Sequence, residues 1–329
     1  MKIYFDNIIY RLQSSGGISK YWSNLYSILN QSGKVKILDA NKKRKVFLPY
    51  LIERFVDFYS LNSKKYIFHS SYYRISRSKN AINIVTVHDF VYERFKKGLR
   101  GFIHKIQKGR AINNASKIIC VSHNTKKDLL KFYPHISKDK IHVIYHGVSN
   151  EFKPLKSFKK NKKKLIFIGN RNGYKNFRVV SKVLKISKNY ELIIVGGGKL
   201  NTQEIFELKE INYTHHIGIT DKKLNEIFNS SFALIYPSLY EGFGLPIIES
   251  LKAGCPVICN SGSSTGEIGS KYVLSGRISA KFIQSSLQKL EKEKFRKEII
   301  KSGLIYASKF TWEKTAAQTL SVYKDSFIK

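Results

Sequence analysis

Two carboxylates, Glu241 and Glu249, stand eight residues apart in the stretch YPSLYEGFGLPIIESLKAG, Tyr236 to Gly254. The apolar run FALIY before it predicts a strand, and Pro246 predicts the start of a helix. Proline suits a first helical position because its missing N–H would be unpaired there anyway. The loop between them, Glu241-Gly242-Phe243-Gly244-Leu245, carries two glycines that let a ligand come close to the backbone. Free amides at the helix start make an anion site that suits a diphosphate. Glu249, on the helix aimed at that site, can accept both hydroxyls of a ribose, the role an acid plays in dinucleotide folds. Glu241 falls where a sugar attached to the diphosphate would lie. The plainer reading of the pair is that glutamates favour a helix N-terminus.

A second stretch, IGNRNGYKN, places Arg171 and Lys175 in the loop after an apolar strand. Two cations there can neutralise a pyrophosphate, arginine by a bidentate fork and lysine as a point charge. Gly16 and Gly17 follow the first strand and precede the first helix, a position read either as a plain turn or as a close approach to a ligand. Gly196-Gly197-Gly198 reads as a strand-end turn. His88 and Asp89 end the run INIVTV, and HSSYY (His69–Tyr73) ends another. Histidines at such places are structural more often than functional.

In this context the E-x7-E segment resembles the signature of retaining GT-B glycosyltransferases, specifically family 4 (glycosyl transferases group 1), in a mannosyltransferase-like subgroup of surface-polysaccharide biosynthesis. The resemblance runs through the chain in the family's order. Its pieces are Ser15-Gly16-Gly17-Ile18, TVHDF (86–90), VSHNTKKDLLKFY (121–133), VIYHGVSNEFKP (143–154), IGNRNGYKNF (168–177), the E-x7-E segment and FTWEKTA. It implies that Arg171, Lys175, Glu241 and His88 form the catalytic set. It also implies a donor site of Gly16, Gly17, Arg171, Lys175, Ile217, Gly218, Glu241, Phe243, Gly244, Leu245 and Glu249. Ile217 and Gly218 would meet the base through backbone atoms, and His88 the donor sugar. Asp89, Tyr92 and Glu93 would border the acceptor. Arg171 and Lys175 are four residues apart, whereas many family members space these cations by five. No DxD-like motif stands in a credible loop, so metal-independent transfer is expected, with no cofactor beyond a nucleotide sugar. GDP-mannose is favoured over UDP-sugars.

The elements that must position these groups alternate apolar runs with amphipathic stretches, an α/β pattern with parallel sheets. MKIYFD, KVKILDA, KYIFHSS, INIVTVHD, KIICVS and IHVIYHG predict the first set of strands. KLIFIGN, YELIIVGG, THHIGI, FALIYPS and PVICNS predict the second. Helices are expected at Ser19–Gln31, Thr125–Phe132 (capped by Ser122), Asn176–Ser187, Thr220–Asn229 and Pro246–Ala253. The polar run Glu151–Lys164 reads as a linker. The fold class is therefore α/β, GT-B, with two Rossmann-like domains whose parallel sheets face across a cleft. The expected domains are 1–155 on the acceptor side and 156–308 for the nucleotide sugar. Residues 309–329 are expected to form a helix crossing back to the first.

Composition narrows the partners. The 329 residues hold 59 Lys+Arg against 23 Asp+Glu, a net charge of +36, and residues 1–160 alone hold 32 basic and 9 acidic residues. Such a field attracts anionic headgroups or polyphosphates, or is only a solvated surface. Nucleic acid is disfavoured because no RNP, zinc-finger or Arg/Gly-rich tract occurs. The first residues lack a long apolar run, so no signal peptide is expected. Cys120, Cys255 and Cys259 sit in apolar settings and read as buried thiols. Together these features predict a cytoplasmic enzyme, peripheral at the inner face of the plasma membrane, acting on a glycan or lipid-diphosphate-linked acceptor in O-antigen or capsule synthesis. The rival readings are a basic membrane- or nucleic-acid-binding protein on a non-catalytic GT-B scaffold, and a sugar-nucleotide epimerase or hydrolase.

Overall fold

Twelve apolar runs of the described residues become strands, and every strand pairing is parallel. The computed structural model describes residues 1–13, 16–33, 36–39, 53–60, 64–156 and 163–328. Ser15 of the glycine loop, Lys34, Val35 and Ala40 of the second predicted strand, and residues 157–162 of the predicted linker lie outside them. The chain divides into two compact units, Met1–Gly147 with Trp312–Lys329, and Val148–Thr311.

In the first unit, β1 (Lys2–Phe5), β2 (Lys36–Asp39), β3 (Tyr66–Ser70), β4 (Ala81–Val87), β5 (Lys117–Cys120) and β6 (Ile141–Val143) form one sheet in the order β2-β1-β3-β4-β5-β6. β3 is buried along its whole length, as expected of a parallel strand covered on both faces. The helix Gly17–Gln31 packs Tyr21, Trp22, Leu25 and Leu29 on this sheet. The helix Trp312–Ile328 adds Trp312, Ala316, Leu320 and Tyr323 to the same core. Ser122 caps the helix His123–Phe132 by accepting the Thr125 N–H, the reason the chain turns there.

This core is held by a buried polar chain. His69 is fully buried, with Nδ1 2.6 Å from the Tyr323 hydroxyl and Nε2 2.9 Å from Thr86 Oγ1. The Tyr21 hydroxyl lies 3.2 Å from the same Thr86 oxygen. His69 is thus a fastener between β3, β4 and the last helix.

In the second unit, β7 (Lys164–Ile168), β8 (Glu191–Val195), β9 (Tyr213–His216), β10 (Ala233–Tyr236), β11 (Val257–Asn260) and β12 (Leu274–Gly276) are ordered β12-β11-β10-β7-β8-β9. The chain builds outward from β7 to β9, then returns to β10 on the other side of β7 and builds outward again. The order reverses between β7 and β10, and open α/β folds bind ligands outside the carboxyl ends of the strands at such a reversal. β12 has no counterpart among the predicted strands. Its residues, Leu-Ser-Gly, hold one large apolar side chain, too few for an apolar run.

The start of the second unit corrects the predicted boundary. Lys153 N donates to Asn225 Oδ1 at 3.1 Å and Leu155 N to Asn229 Oδ1 at 2.8 Å, while Asn229 Nδ2 returns a bond to the Lys153 carbonyl. Phe152 is buried against Phe228, ring centroids 6.1 Å apart. Residues 148–155 are therefore packed as part of the second unit rather than the first.

Two predictions follow from the first unit's core. Tyr323→Phe leaves His69 Nδ1 buried without its partner and should cost about 1–3 kcal/mol in denaturant unfolding, whereas an unchanged midpoint would mean the bond contributes nothing. The second concerns acid. Burial pushes the imidazoles of His69, His88 and His104 down to about 3, and that of His146 well below its ordinary value. The unfolded chain protonates these rings near pH 6.5, so their stabilisation is complete above that pH and is lost as pH falls toward 3. Melting temperature should drop steadily from pH 6.5 to 4. Calorimetry at pH 5 should show roughly one proton taken up on unfolding per buried imidazole.

Candidate functional site

The two loops that flank the reversal in the second sheet carry the chemistry. After β7 the chain passes through Gly169, Arg171 and a 3-10 turn, Gly173–Lys175, before the helix Phe177–Ile186. After β10 it runs through Pro237–Gly244 into the helix Leu245–Lys252. Hydrogen bonds tie the loops together, with Leu239 N donating to the Tyr174 carbonyl at 2.7 Å and the Asn176 side-chain Nδ2 to the Pro237 carbonyl at 3.4 Å.

At their meeting point Lys175 Nζ lies 2.6 Å from Glu241 Oε1, with side chains 14% and 13% exposed. The pair is nearly shielded yet still reachable from solvent. Lys175 also sits beside the rings of Tyr174 and Tyr236, 5.4 and 5.6 Å from their centroids. The Tyr236 hydroxyl is pushed well above its usual pKa by burial and by the Glu241 carboxylate it bonds, with Glu249 adding to the shift. The Glu241 backbone is fixed on both sides, its N–H donating to Ser263 Oγ at 3.1 Å and its carbonyl accepting from Ser264 Oγ at 2.8 Å.

Gly244 precedes the helix at φ 98°, a left-handed backbone that a side chain would strain. Leu245 and Pro246 form the first turn, Phe243 is buried, with its ring 6.3 Å from that of Phe310, and Glu249 is buried in the next turn. Helix start, ammonium and two carboxylates are therefore held by one unit on neighbouring strands.

Arg171 stands apart from that group. Its guanidinium donates to the carbonyls of Gly196, Gly197, Gly198 and Lys199 at 2.9–3.1 Å, and Nε lies 3.0 Å from Glu204 Oε2. Glu204 in turn closes a capping box with Asn201 on the helix Thr202–Leu208. A Cβ on Gly197 would meet Arg171 Nη1 at 2.4 Å and the Gly169 carbonyl at 2.7 Å, so glycine is required for the loop to wrap the guanidinium. Arg171 is committed to shaping the Gly196–Lys199 loop. Ile217 and Gly218 follow β9 beside that loop, where Gly196 N donates to the His216 carbonyl at 2.8 Å. Both are exposed.

The remaining predicted residues belong to the first unit. Gly16 precedes the helix that begins at Gly17, with φ 147°. His88 lies at the end of β4, buried, its ring stacked 5.7 Å from His146 and edge-on to Tyr21. With its pKa lowered to about 3, first by burial and then by the Lys108 charge, it is a neutral imidazole able to donate or accept one hydrogen bond. Asp89 Oδ1 accepts the Val91 N–H at 2.9 Å, Glu93 pairs with Lys108 Nζ at 2.9 Å, and Tyr92 stacks on His104 at 3.7 Å. In this unit the strand order reverses between β1 and β3. There Asp6 is buried, bonded to Ser70 Oγ at 2.7 Å and Ser71 N at 2.9 Å, with Arg74 3.6 Å away.

Sequence reasoning missed Tyr236, Ser263 and Asp6. The first and last sit at the carboxyl end of a strand, the signal that could have found them. Ser263 follows β11 and shows no signal of its own.

Comparison with known proteins agrees with this geometry. Residues 148–304 match the model "Glycosyl transferases group 1" and residues 47–152 the model "Glycosyltransferase Family 4". The chain is 28% identical over 171 residues to O-antigen chain mannosyltransferase B of Escherichia coli, covering 48% of this chain and 45% of that protein. It is 30% identical over 156 residues to O-antigen chain mannosyltransferase RfbU of Salmonella typhimurium, covering 45% and 43%. The matched region thus spans less than half the length of either relative. The fold overlays on sucrose-phosphate synthase from Thermosynechococcus elongatus with a TM-score of 0.77 at 17% identity, covering 100% of this chain and 99% of the other. Two parallel-sheet units with a reversal site in the second, together matched from residue 47 to residue 304, identify the chain as a GT-B protein that belongs to the family 4, group 1 glycosyltransferases.

Proposed function

We propose that the chain transfers a hexose, with mannose the first choice, from a nucleoside-diphosphate sugar to a glycan or lipid-linked acceptor, retaining the anomeric configuration. The single observation that carries this reading is the Lys175–Glu241 pair at the second sheet's reversal, beside a helix start and Glu249. Breakage of the bond between the anomeric carbon and the diphosphate puts negative charge on the leaving group. Lys175 and the amides of Gly244 and Leu245 are placed to stabilise it. A lysine in this position supplies the charge a divalent metal would bring, which supports metal-independent transfer. Glu249 holds the ribose, and Glu241 faces the sugar, where its carboxylate supports oxocarbenium-like charge. The acceptor attacks the same face from which the diphosphate departs, and a leaving phosphate oxygen takes its proton. Arg171 is proposed to meet the pyrophosphate from the same loop, where its guanidinium also binds the carbonyls of Gly196–Lys199.

The mannosyltransferase names of the two relatives support mannose as the sugar, and their O-antigen chains support an acceptor from surface-polysaccharide assembly; GDP-mannose is the donor proposed ahead of UDP-sugars, with the reaction at the cytoplasmic face. The family resemblance supports a role for His88 toward the donor sugar and for Asp89, Tyr92 and Glu93 toward the acceptor.

The test is release of nucleoside diphosphate from GDP-mannose, UDP-glucose and UDP-N-acetylglucosamine, with and without lipid-diphosphate acceptors. Lys175→Ala and Glu241→Ala should each lower turnover by about 10²–10³ while melting close to the parent protein. Turnover untouched by both substitutions would remove the site. Equal release without any acceptor would replace transfer by hydrolysis.

A further inference from the structure

Four buried side-chain atoms that lack a hydrogen-bond partner, Arg54 Nε, Glu93 Oε1, His104 Nδ1 and Gln107 Oε1, belong to one cluster of the first unit. His104 and Gln107 are buried on the helix Leu99–Asn113, which turns Leu99, Phe102 and Ile106 to solvent. The His104 ring stacks on Tyr92 at 3.7 Å and stands edge-on to Tyr72 and Tyr73 at 6.0 and 5.6 Å. Gln107 Nε2 donates to the Arg54 carbonyl at 2.7 Å, and the Arg54 guanidinium lies over the rings of Phe55 and Tyr72 at 4.7 and 5.8 Å. Glu93 pairs with Lys108 Nζ through Oε2 alone, at 2.9 Å. Tyr72 and Tyr73 follow β3, and Tyr92 and Glu93 follow β4, so the cluster stands at the carboxyl ends of two neighbouring strands.

Buried polar atoms in folded proteins are nearly always paired, so four in one place call for a common partner. Their chemistry names its class. Arg54 Nε only donates, while Glu93 Oε1 and Gln107 Oε1 only accept. His104 is kept neutral by burial, then by the charges of Lys108 and Arg54, so its Nδ1 donates or accepts according to tautomer. Hydroxyl groups, which do both, answer all four. A phosphate suits them poorly, because it would face two acceptor oxygens while Lys108 is committed to Glu93 and the Asp89 carbonyl. Around these atoms stand Tyr72, Tyr73 and Tyr92, each half-buried, and Phe55, 43% exposed. A pyranose has an apolar C–H face to set against aromatic rings and hydroxyls at its rim.

We infer that this cluster binds a neutral pyranose of the acceptor glycan, reading it through sugar hydroxyls rather than through a phosphate. The inference rests on the proposed acceptor role of Asp89, Tyr92 and Glu93, and it adds Arg54, His104 and Gln107 as the residues that set acceptor specificity. A site whose buried polar groups await hydroxyls discriminates strongly against a ligand that lacks them.

The test is saturation-transfer NMR of the full chain with the methyl α-D-pyranosides of mannose, glucose and galactose, without any nucleotide sugar, and with inorganic pyrophosphate as competitor. At least one glycoside should receive magnetisation from the aromatic protons, and pyrophosphate should not displace it. His104→Phe keeps a ring against Tyr92 but removes Nδ1, and Arg54→Lys keeps the charge but removes Nε. Each should weaken binding roughly tenfold while melting as the parent does. Lys175→Ala should bind the glycoside as the parent does, so this result stands apart from whether turnover depends on Lys175. Binding of none of the three glycosides would leave water as the partner of the four atoms and overturn the inference. So would displacement by pyrophosphate, full affinity in both His104→Phe and Arg54→Lys, or binding lost in Lys175→Ala.

Discussion

A parallel sheet whose strand order reverses leaves two neighbouring strands whose following loops travel in opposite directions. Open α/β folds bind ligands outside the carboxyl ends of such strands. In the second unit these strands are β7 and β10, and the groups proposed to act on a ligand follow them. The loop after β7 delivers Lys175, the loop after β10 delivers Glu241, and the helix that follows delivers Glu249 and begins with the backbone of Gly244 and Leu245. The contact between Lys175 and Glu241 brings a cation and an anion together where an anionic ligand could exchange for the carboxylate. The surrounding bonds from Ser263, Ser264, Tyr174 and Asn176 hold the two loops so that such an exchange would not disturb the backbone.

The first unit uses the same topology differently. Its reversal, between β1 and β3, is filled by Asp6 with Ser70, Ser71 and Arg74. Its buried histidines differ in what they hold. His69 joins two strands to the last helix, whereas His88 stands at a strand end as a neutral ring beside His146. Burial rather than a charged partner sets the protonation of both.

Local patterns were legible in the sequence. The strands read as apolar runs because both faces of each sheet are covered, and Ser122 and Thr220 marked helix starts that their side chains do cap. Glu241, Lys175 and Glu249 were legible because a strand end, a glycine loop and a proline-led helix fix position within a few residues. Features made across long separations were not. Arg171 stands at a strand end like a ligand-binding cation, but its carbonyl partners are 25 to 28 residues away. The lysine-rich run after Val148 looks like a linker by composition, yet the side-chain amides of Asn225 and Asn229, over 70 residues on, pair with its backbone. The helix Leu99–Asn113 hides among basic residues because apolar positions at helical spacing predict a buried face, and here one such set faces water.

The central claim is that Lys175 and Glu241 together form a diphosphate site in which the carboxylate holds the ammonium until a ligand replaces it. Isothermal titration of GDP and UDP into the parent protein, Lys175→Met and Glu241→Gln tests it directly. Loss of a charge-assisted bond worth about 1.5–3 kcal/mol should weaken binding of the preferred nucleotide to Lys175→Met by roughly tenfold or more. Glu241→Gln, which removes the competing anion, should bind it at least as tightly as the parent. Equal affinity in the parent and Lys175→Met, or weaker binding in Glu241→Gln alone, would contradict the account.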